Sequence, residues 1–203
     1  GSTPLYVDLD GTLIASDLLW ESLVALARRR PLDLLCLPRW LLGGKAAFKA
    51  CVAKRGSVDV RTLPYRPEVL AYIASQRALG SPVVLATASD RHVVAPLASH
   101  LDVFDDVLAS DGSSNLSGAR KLAAIRSHLA ALGRSPEAFE YLGNSLVDLP
   151  IWREARFASA AAPSAGVLRR ASVLGKDVAI VADARSAWRG VLRALRPHQW
   201  VKN

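Results

Sequence analysis

The chain has no methionine, only two cysteines, and 6% aromatic residues, and each scarcity removes a class of protein. Cys36 and Cys51 lack C-x-x-C spacing, so neither a zinc site nor a disulfide framework is expected, and a reducing compartment is the default. No uninterrupted apolar run approaches about 18 residues, so no transmembrane helix is expected within these boundaries. Gly1-Ser2 reads as a foreign leader, and with the missing methionine it marks an excised piece of a longer protein. Acids are scarce too: 18 against 26 basic residues, a net charge of +8.

That excess invites a nucleic-acid reading, and its distribution argues against one. Between Ala15 and Arg66 ten basic residues face four acids, which accounts for +6 of the +8. They are interleaved with Leu and Trp rather than set in a nucleic-acid motif. Basic plus apolar suits an anionic membrane surface or a phosphorylated lipid, the plain alternative being a solvated helix face. With 203 residues, half of them hydrophobic, the chain has enough for one domain with a small inserted lobe.

An apolar, β-favouring start (Leu5, Tyr6, Val7) is followed by a long helical block, roughly Asp17 to Ser57. Pro38 is expected to kink or break its second segment, Leu32 to Leu42, and Gly43-Gly44 separates a third, Lys45 to Lys54. Gly43-Gly44-Lys45 is no phosphate loop, since the strand and the G-x-x-x-x-G-K-[ST] spacing are absent. From Arg66 the pattern alternates. Helices are expected over 68–79, 91–100, 117–132, 148–155 and 165–174, and strands over 81–87, 103–109, 139–142 and 156–160. Ser89 or Asp90 can cap the helix from Arg91. Such alternation predicts an α/β fold, a Rossmann-like parallel sheet with helices on both faces, and the block before Arg66, which has no strand signal, reads as a helical insertion. Ligands of such sheets sit at the carboxyl ends of the strands.

Four signals fall at those ends. Pro4 to Leu13 reads P-L-Y-V-D-L-D-G-T-L, with Asp8 and Asp10 one residue apart at the end of the first strand. Two carboxylates there suit a divalent cation, and a division of labour in which one attacks while the other moves a proton. A solvated strand-to-turn junction is the bland alternative. Val83-Val84-Leu85-Ala86 ends in Thr87, whose hydroxyl can donate to a phosphate oxygen. Lys121 opens a helix in N-L-S-G-A-R-K, with Arg120 its rival. Y-L-G-N-S-L-V-D, from Tyr141 to Asp148, is a strand, a glycine turn and an acid opening a helix.

In this order the four motifs resemble those of the haloacid dehalogenase (HAD) superfamily. The resemblance implies a Rossmann-like core over 3–14 and 66–182, with residues 15–65 in the position of a first-type (C1) cap. It implies that Asp8 is the phosphate-accepting nucleophile and Asp10 the acid/base, with Thr87 and Lys121 holding the phosphoryl group. Gly11, Thr12, Ala88 and Ser89 would line the substrate, and Asp8, Asp10, Asn144 and Asp148 would hold Mg²⁺. Asn144 departs from the family's G-D-x-x-x-D: it keeps a carbonyl oxygen and loses one negative charge, which should weaken Mg²⁺ binding.

Residues 183–203 are basic. Trp188, Val191, Leu192 and Leu195 form a helical apolar stripe, which suits a membrane interface or packing back on the sheet. The segment L-R-P-H-Q-W-V-K-N resembles the approach to the first membrane span of UbiA-type polyprenyl-phosphate transferases, some of which carry an N-terminal HAD domain. This second resemblance implies a prenyltransferase domain in cis, a lipid-linked sugar phosphate as substrate, and the cytoplasmic face of the bacterial inner membrane. The rival expectations are a soluble small-molecule phosphatase and a non-catalytic phosphate-binding module.

Overall fold

The structure, a computed structural model, describes residues 2–56, 58–111 and 115–183. Strand β1 (Leu5–Val7) has only three residues, all buried, because it lies in the middle of the sheet. It pairs in parallel with β2 (Val83–Asp90) on one side and β4 (Glu140–Gly143) on the other. With β3 (Asp106–Ser110), β5 (Phe157–Ala161) and β6 (Val178–Ala182), the order is β3-β2-β1-β4-β5-β6, and every pairing is parallel. The chain winds outward from β1 in both directions, which leaves a crevice at the carboxyl ends of β1 and its neighbours.

Alternation along the strands divides the core in two. Leu5, Val7, Leu85 and Leu142 face one side, packing with Val69 and Ile73 of α4 (Pro67–Ala78) and with Val94 and Leu97 of α5 (Arg91–Leu101). Tyr6, Val84, Ala86 and Tyr141 face the other. There they meet α6 (Ala119–Ala131), α7 (Leu149–Glu154) and α8 (Ala165–Val173) through Ile125, Trp152 and Val167.

Between β1 and α4 the chain leaves the sheet and forms α1 (Leu18–Arg29), a 3₁₀ helix over Pro31–Cys36, α2 (Leu37–Leu42) and α3 (Gly44–Arg55). The two stems of this excursion are tied together. The Ala15 amide donates to the Pro64 carbonyl at 2.8 Å, and the Arg66 amide to the Leu13 carbonyl at 2.9 Å. Asp17 caps α1 through the Leu19 and Trp20 amides.

The expected parallel α/β class is found, and the segment Leu32 to Leu42 is divided beside Pro38 as expected: the 3₁₀ helix ends at Cys36, and Pro38 sits in the first turn of α2, where its missing N–H has no helical partner to lose. Three local differences remain. β2 runs on to Asp90, with an irregular register between Thr87 and Asp90. Asp148 ends a 3₁₀ turn (Leu146–Asp148) rather than simply opening a helix. β6 was not expected at all, although Val178-Ala179-Ile180-Val181-Ala182 is a continuous apolar run; as an edge strand it leaves Ala179 and Ile180 exposed. The apolar stripe of Trp188, Val191, Leu192 and Leu195 lies outside the described residues.

Trp152 is fully buried, and its indole N–H lies 3.2 Å from the carbonyls of both Tyr141 on β4 and Ser159 on β5. Trp152→Ala is therefore expected to destabilise the fold by about 3–5 kcal/mol in urea-induced unfolding.

Candidate active site

The first strand stops at Val7, and the backbone then coils. The Leu13 and Ile14 amides donate back to the carbonyls of Asp8 and Leu9, and Gly11 adopts φ +76°, which an L side chain rarely takes. Because the strand does not continue, Asp8 and Asp10 meet different partners rather than standing as a simple i, i+2 pair.

Asp8, 8% exposed, accepts from the Lys121 ammonium at 2.6 Å. Lys121 stands in the first turn of α6 and is 4% exposed, so the two charges are buried together. Its ammonium also donates to the Tyr141 hydroxyl at 3.0 Å, and that hydroxyl donates to Asp148 Oδ1 at 2.8 Å. The other Asp148 oxygen accepts from the Asn144 amide (3.0 Å) and from the Ser145 amide and hydroxyl (both 2.9 Å). Gly143 makes this packing feasible: a Cβ there would lie 2.7 Å from Asp148 Oδ2 and 2.8 Å from the Tyr141 ring.

Asp10 is held at both oxygens. Oδ1 accepts from the Leu18 amide and Oδ2 from the Ser89 hydroxyl, each at 2.7 Å. Of the two candidate caps for the helix from Arg91, Asp90 takes the role by accepting from the His92 amide, while Ser89, beside the irregularity after Thr87, reaches Asp10 instead. Thr87 is fully buried, and its hydroxyl oxygen accepts from the Ser89 amide at 3.0 Å. Thr12 is also fully buried, and its hydroxyl has no hydrogen-bond partner. The Asn144 side chain lies directly over Gly11, where a Cβ would come within 2.1 Å of its amide nitrogen. Arg120, the rival of Lys121, is exposed.

Two participants were not singled out from the sequence. Tyr141, fully buried, joins the lysine to the second acid. Its only signal was a tyrosine two residues before Gly143. Lys49 reaches from α3 to the Ala88 carbonyl at 3.1 Å and bears electrostatically on Asp10. Nothing marked it among the cap's other basic residues.

Burial pushes Asp8 up to about 6; Lys121 pulls it down, while Asp148 and Asp10 add repulsion. Burial also raises Asp10, against the hydrogen bonds from Ser89 and Leu18. Burial raises the Tyr141 hydroxyl too, with Asp148 and Asp8 adding to it.

Among the described residues, no three His, Cys, Asp or Glu side chains stand grouped to hold a metal. Asp148 is turned into its own loop, and one motif position is an Asn. The chemistry of the corner nonetheless fits a hard cation. Its donors are oxygens, and the carboxylates of Asp148 and Asp10 both bear on Asp8, which Lys121 meets at 2.6 Å.

Two expectations follow. A carboxyl whose folded pKa is raised binds its proton more tightly when folded. The stability that this contributes is fully present below the unfolded value of 3.8 and is lost as pH rises through about 6. Without metal, the stability of the wild type relative to Asp8→Asn should fall by up to about 3 kcal/mol between pH 4 and 6.5, measured by urea unfolding across pH. Tyr141→Phe keeps the buried ring but strips a partner from both Lys121 and Asp148. It should lower stability by about 1–3 kcal/mol in the same assay.

The profile of the haloacid dehalogenase-like hydrolase family matches residues 5–153. The uncharacterized protein y4nM of Sinorhizobium fredii (strain NBRC 101917 / NGR234) is 37% identical over 202 residues, which cover 98% of this chain and 38% of that protein. The chain thus spans well under half the length of that relative. Among solved structures, a protein of unknown function from Bordetella pertussis Tohama I superposes with a TM-score of 0.66 at 22% identity, over 89% of this chain and 99% of that one. A substrate-bound phosphoserine phosphatase superposes with a TM-score of 0.62 at 14% identity, over 93% and 98% of the two chains. At these identities the likeness is one of fold. The family match spans the first strand, the coiled turn after it and the Lys121 and Asp148 loops, and the chain belongs to the haloacid dehalogenase-like hydrolases.

Proposed function

We propose that the chain is a Mg²⁺-dependent phosphomonoesterase that works through an aspartyl-phosphate on Asp8. The observation that carries this reading is the buried Asp8–Lys121 pair at 2.6 Å, with Asp10 held beside it by Ser89 and Leu18. A free Asp8 oxygen attacks phosphorus in line, and the bond from phosphorus to the ester oxygen breaks. Asp10, whose raised pKa favours carrying a proton, gives that proton to the leaving oxygen. Asp10 then takes a proton from water. The water oxygen bonds to phosphorus, the bond from phosphorus to Asp8 breaks, and phosphate leaves. Lys121 and the Thr87 hydroxyl neutralise and orient the phosphoryl oxygens, and Gly11, Thr12, Ala88 and Ser89 line their approach. Asp8, the Asp10 carbonyl, Asn144 and Asp148 are the residues that would hold Mg²⁺. The ion when bound offsets negative charge on the transferring group.

The substrate in this reading is a lipid-linked sugar phosphate of the polyprenylphosphoryl 5-phosphoribose type, made by a UbiA-like prenyltransferase domain in cis at the cytoplasmic membrane face. What supports it is the resemblance of the last residues to the approach of such a domain, and the greater length of the Sinorhizobium relative. Asn144 favours a second reading, a phosphate-binding module without turnover, because it removes one anionic metal ligand.

Hydrolysis of p-nitrophenyl phosphate with Mg²⁺ separates the two. The wild type should turn over, and Asp8→Asn should lose about 10³-fold or more of kcat while keeping its fold. Phosphate binding without turnover would select the second reading, and full activity in Asp8→Asn would reject Asp8 as the nucleophile. A lipid-linked sugar phosphate should give a higher kcat/KM than phosphoserine or phosphoglycolate.

A further inference from the structure

The far end of the cap presents an unusual surface. Leu32 is 78% exposed, Leu35 80%, Leu41 57% and Leu42 89%, all within one short elbow of the chain. Single exposed leucines are ordinary, but four in eleven residues are not. Local geometry explains the grouping. On the 3₁₀ helix Leu32 and Leu35 are three apart and eclipsed on one side. On α2, Pro38, Leu41 and Leu42 stand at i, i+3 and i+4 and share a face. Leu34 and Leu37, between them, are half-buried, and Trp40 is braced beneath the Arg55 guanidinium 5.0 Å from its ring. The elbow is therefore anchored to α3 while its four leucines remain open to solvent.

Arginines accompany these leucines along the chain. Arg28 and Arg29 end α1, Arg30 follows directly, and Arg39 lies on α2; all four are exposed. The sole acid from Arg28 to Leu42 is Asp33, which Arg30 and Arg55 approach at 3.9 and 3.8 Å. A second copy of the chain fits this surface poorly, because a two-fold contact would set arginines against arginines. An anionic bilayer fits both halves: leucines enter the headgroup–acyl boundary and guanidinium groups meet lipid phosphates.

We propose that the cap elbow, Pro31 to Leu42 with Arg28–Arg30, is the surface by which this chain docks on an anionic membrane. It rests on the reading above only in taking the substrate to be lipid-linked. Docked this way, the cap would lie against the bilayer, the source of that substrate.

The test is sedimentation of the 203-residue chain with phosphatidylglycerol-containing or pure phosphatidylcholine vesicles, at low and high salt. The wild type should bind anionic vesicles more tightly than neutral ones and lose affinity as salt rises. Arg28→Gln, Arg29→Gln and Arg30→Gln together should lower anionic binding on the order of a hundredfold and remove much of the salt dependence. Leu32→Asp with Leu42→Asp should lower binding roughly tenfold or more at either salt. All these positions are solvent-exposed and remote from Asp8, so hydrolysis of p-nitrophenyl phosphate by each variant should match the wild type. Wild-type binding that ignores lipid charge and salt, or variants that bind like the wild type, would overturn the proposal. So would a wild-type dimer, seen by sedimentation velocity, that the leucine variant dissolves. A wild type that binds vesicles as described but hydrolyses nothing would reject the phosphatase reading and leave the docking surface standing.

Discussion

Everything at the carboxyl end of the sheet depends on keeping Lys121 and Asp8 charged and dry. An ammonium and a carboxylate removed from water each lose several kcal/mol of hydration, and their attraction restores it only if the remaining donors and acceptors find partners. The structure supplies them. Tyr141 takes a second hydrogen from Lys121 and passes its own to Asp148, whose other oxygen is filled by two amides and a hydroxyl. Removing any member would leave the next with an unmet requirement in a place water hardly reaches.

This constraint explains why the loop after β4 has the sequence it has. Tyr141 must point to one face of the sheet so that its ring fills the core while its hydroxyl reaches the strand ends. Gly143 must lack a side chain because ring and carboxylate both crowd it. Ser145 and Asp148 then close a reciprocal cap over the short turn that precedes α7. Packing of the core and charge balance of the site are here the same set of atoms.

What was legible in the sequence follows from this. Apolar runs that end in Asp8, Thr87 and Asn144 marked three strand ends, and strand–helix alternation made the sheet parallel, so their convergence could be anticipated. Lys121 was legible through the resemblance of N-L-S-G-A-R-K to the family's third motif, since a helix start alone does not separate it from Arg120, and Asp8 is 113 residues away. Tyr141 was not, because a tyrosine inside an apolar strand looks like core, and its ring is core. Ser89 and Asp90 are equally good caps on paper, and only the irregular register after Thr87 distinguishes them. β6 escaped although its five residues form an unbroken apolar run, because a run that short fits a buried helix segment or a strand equally well.

Asp10 belongs to two bodies at once. One oxygen is held by Ser89, at the end of a central strand, and the other by the first amide of α1, where the inserted helices begin. Arg66, at the returning stem, reaches the Gly11 carbonyl at 3.2 Å, one residue away. The inserted helices are thus tied to Asp10 rather than merely placed beside it: a rotation of α1 away from the sheet would lengthen the bond from the Leu18 amide while leaving the one from Ser89 in place. Any shift of the helical excursion would therefore register at this carboxyl as a change in which of its two oxygens is held.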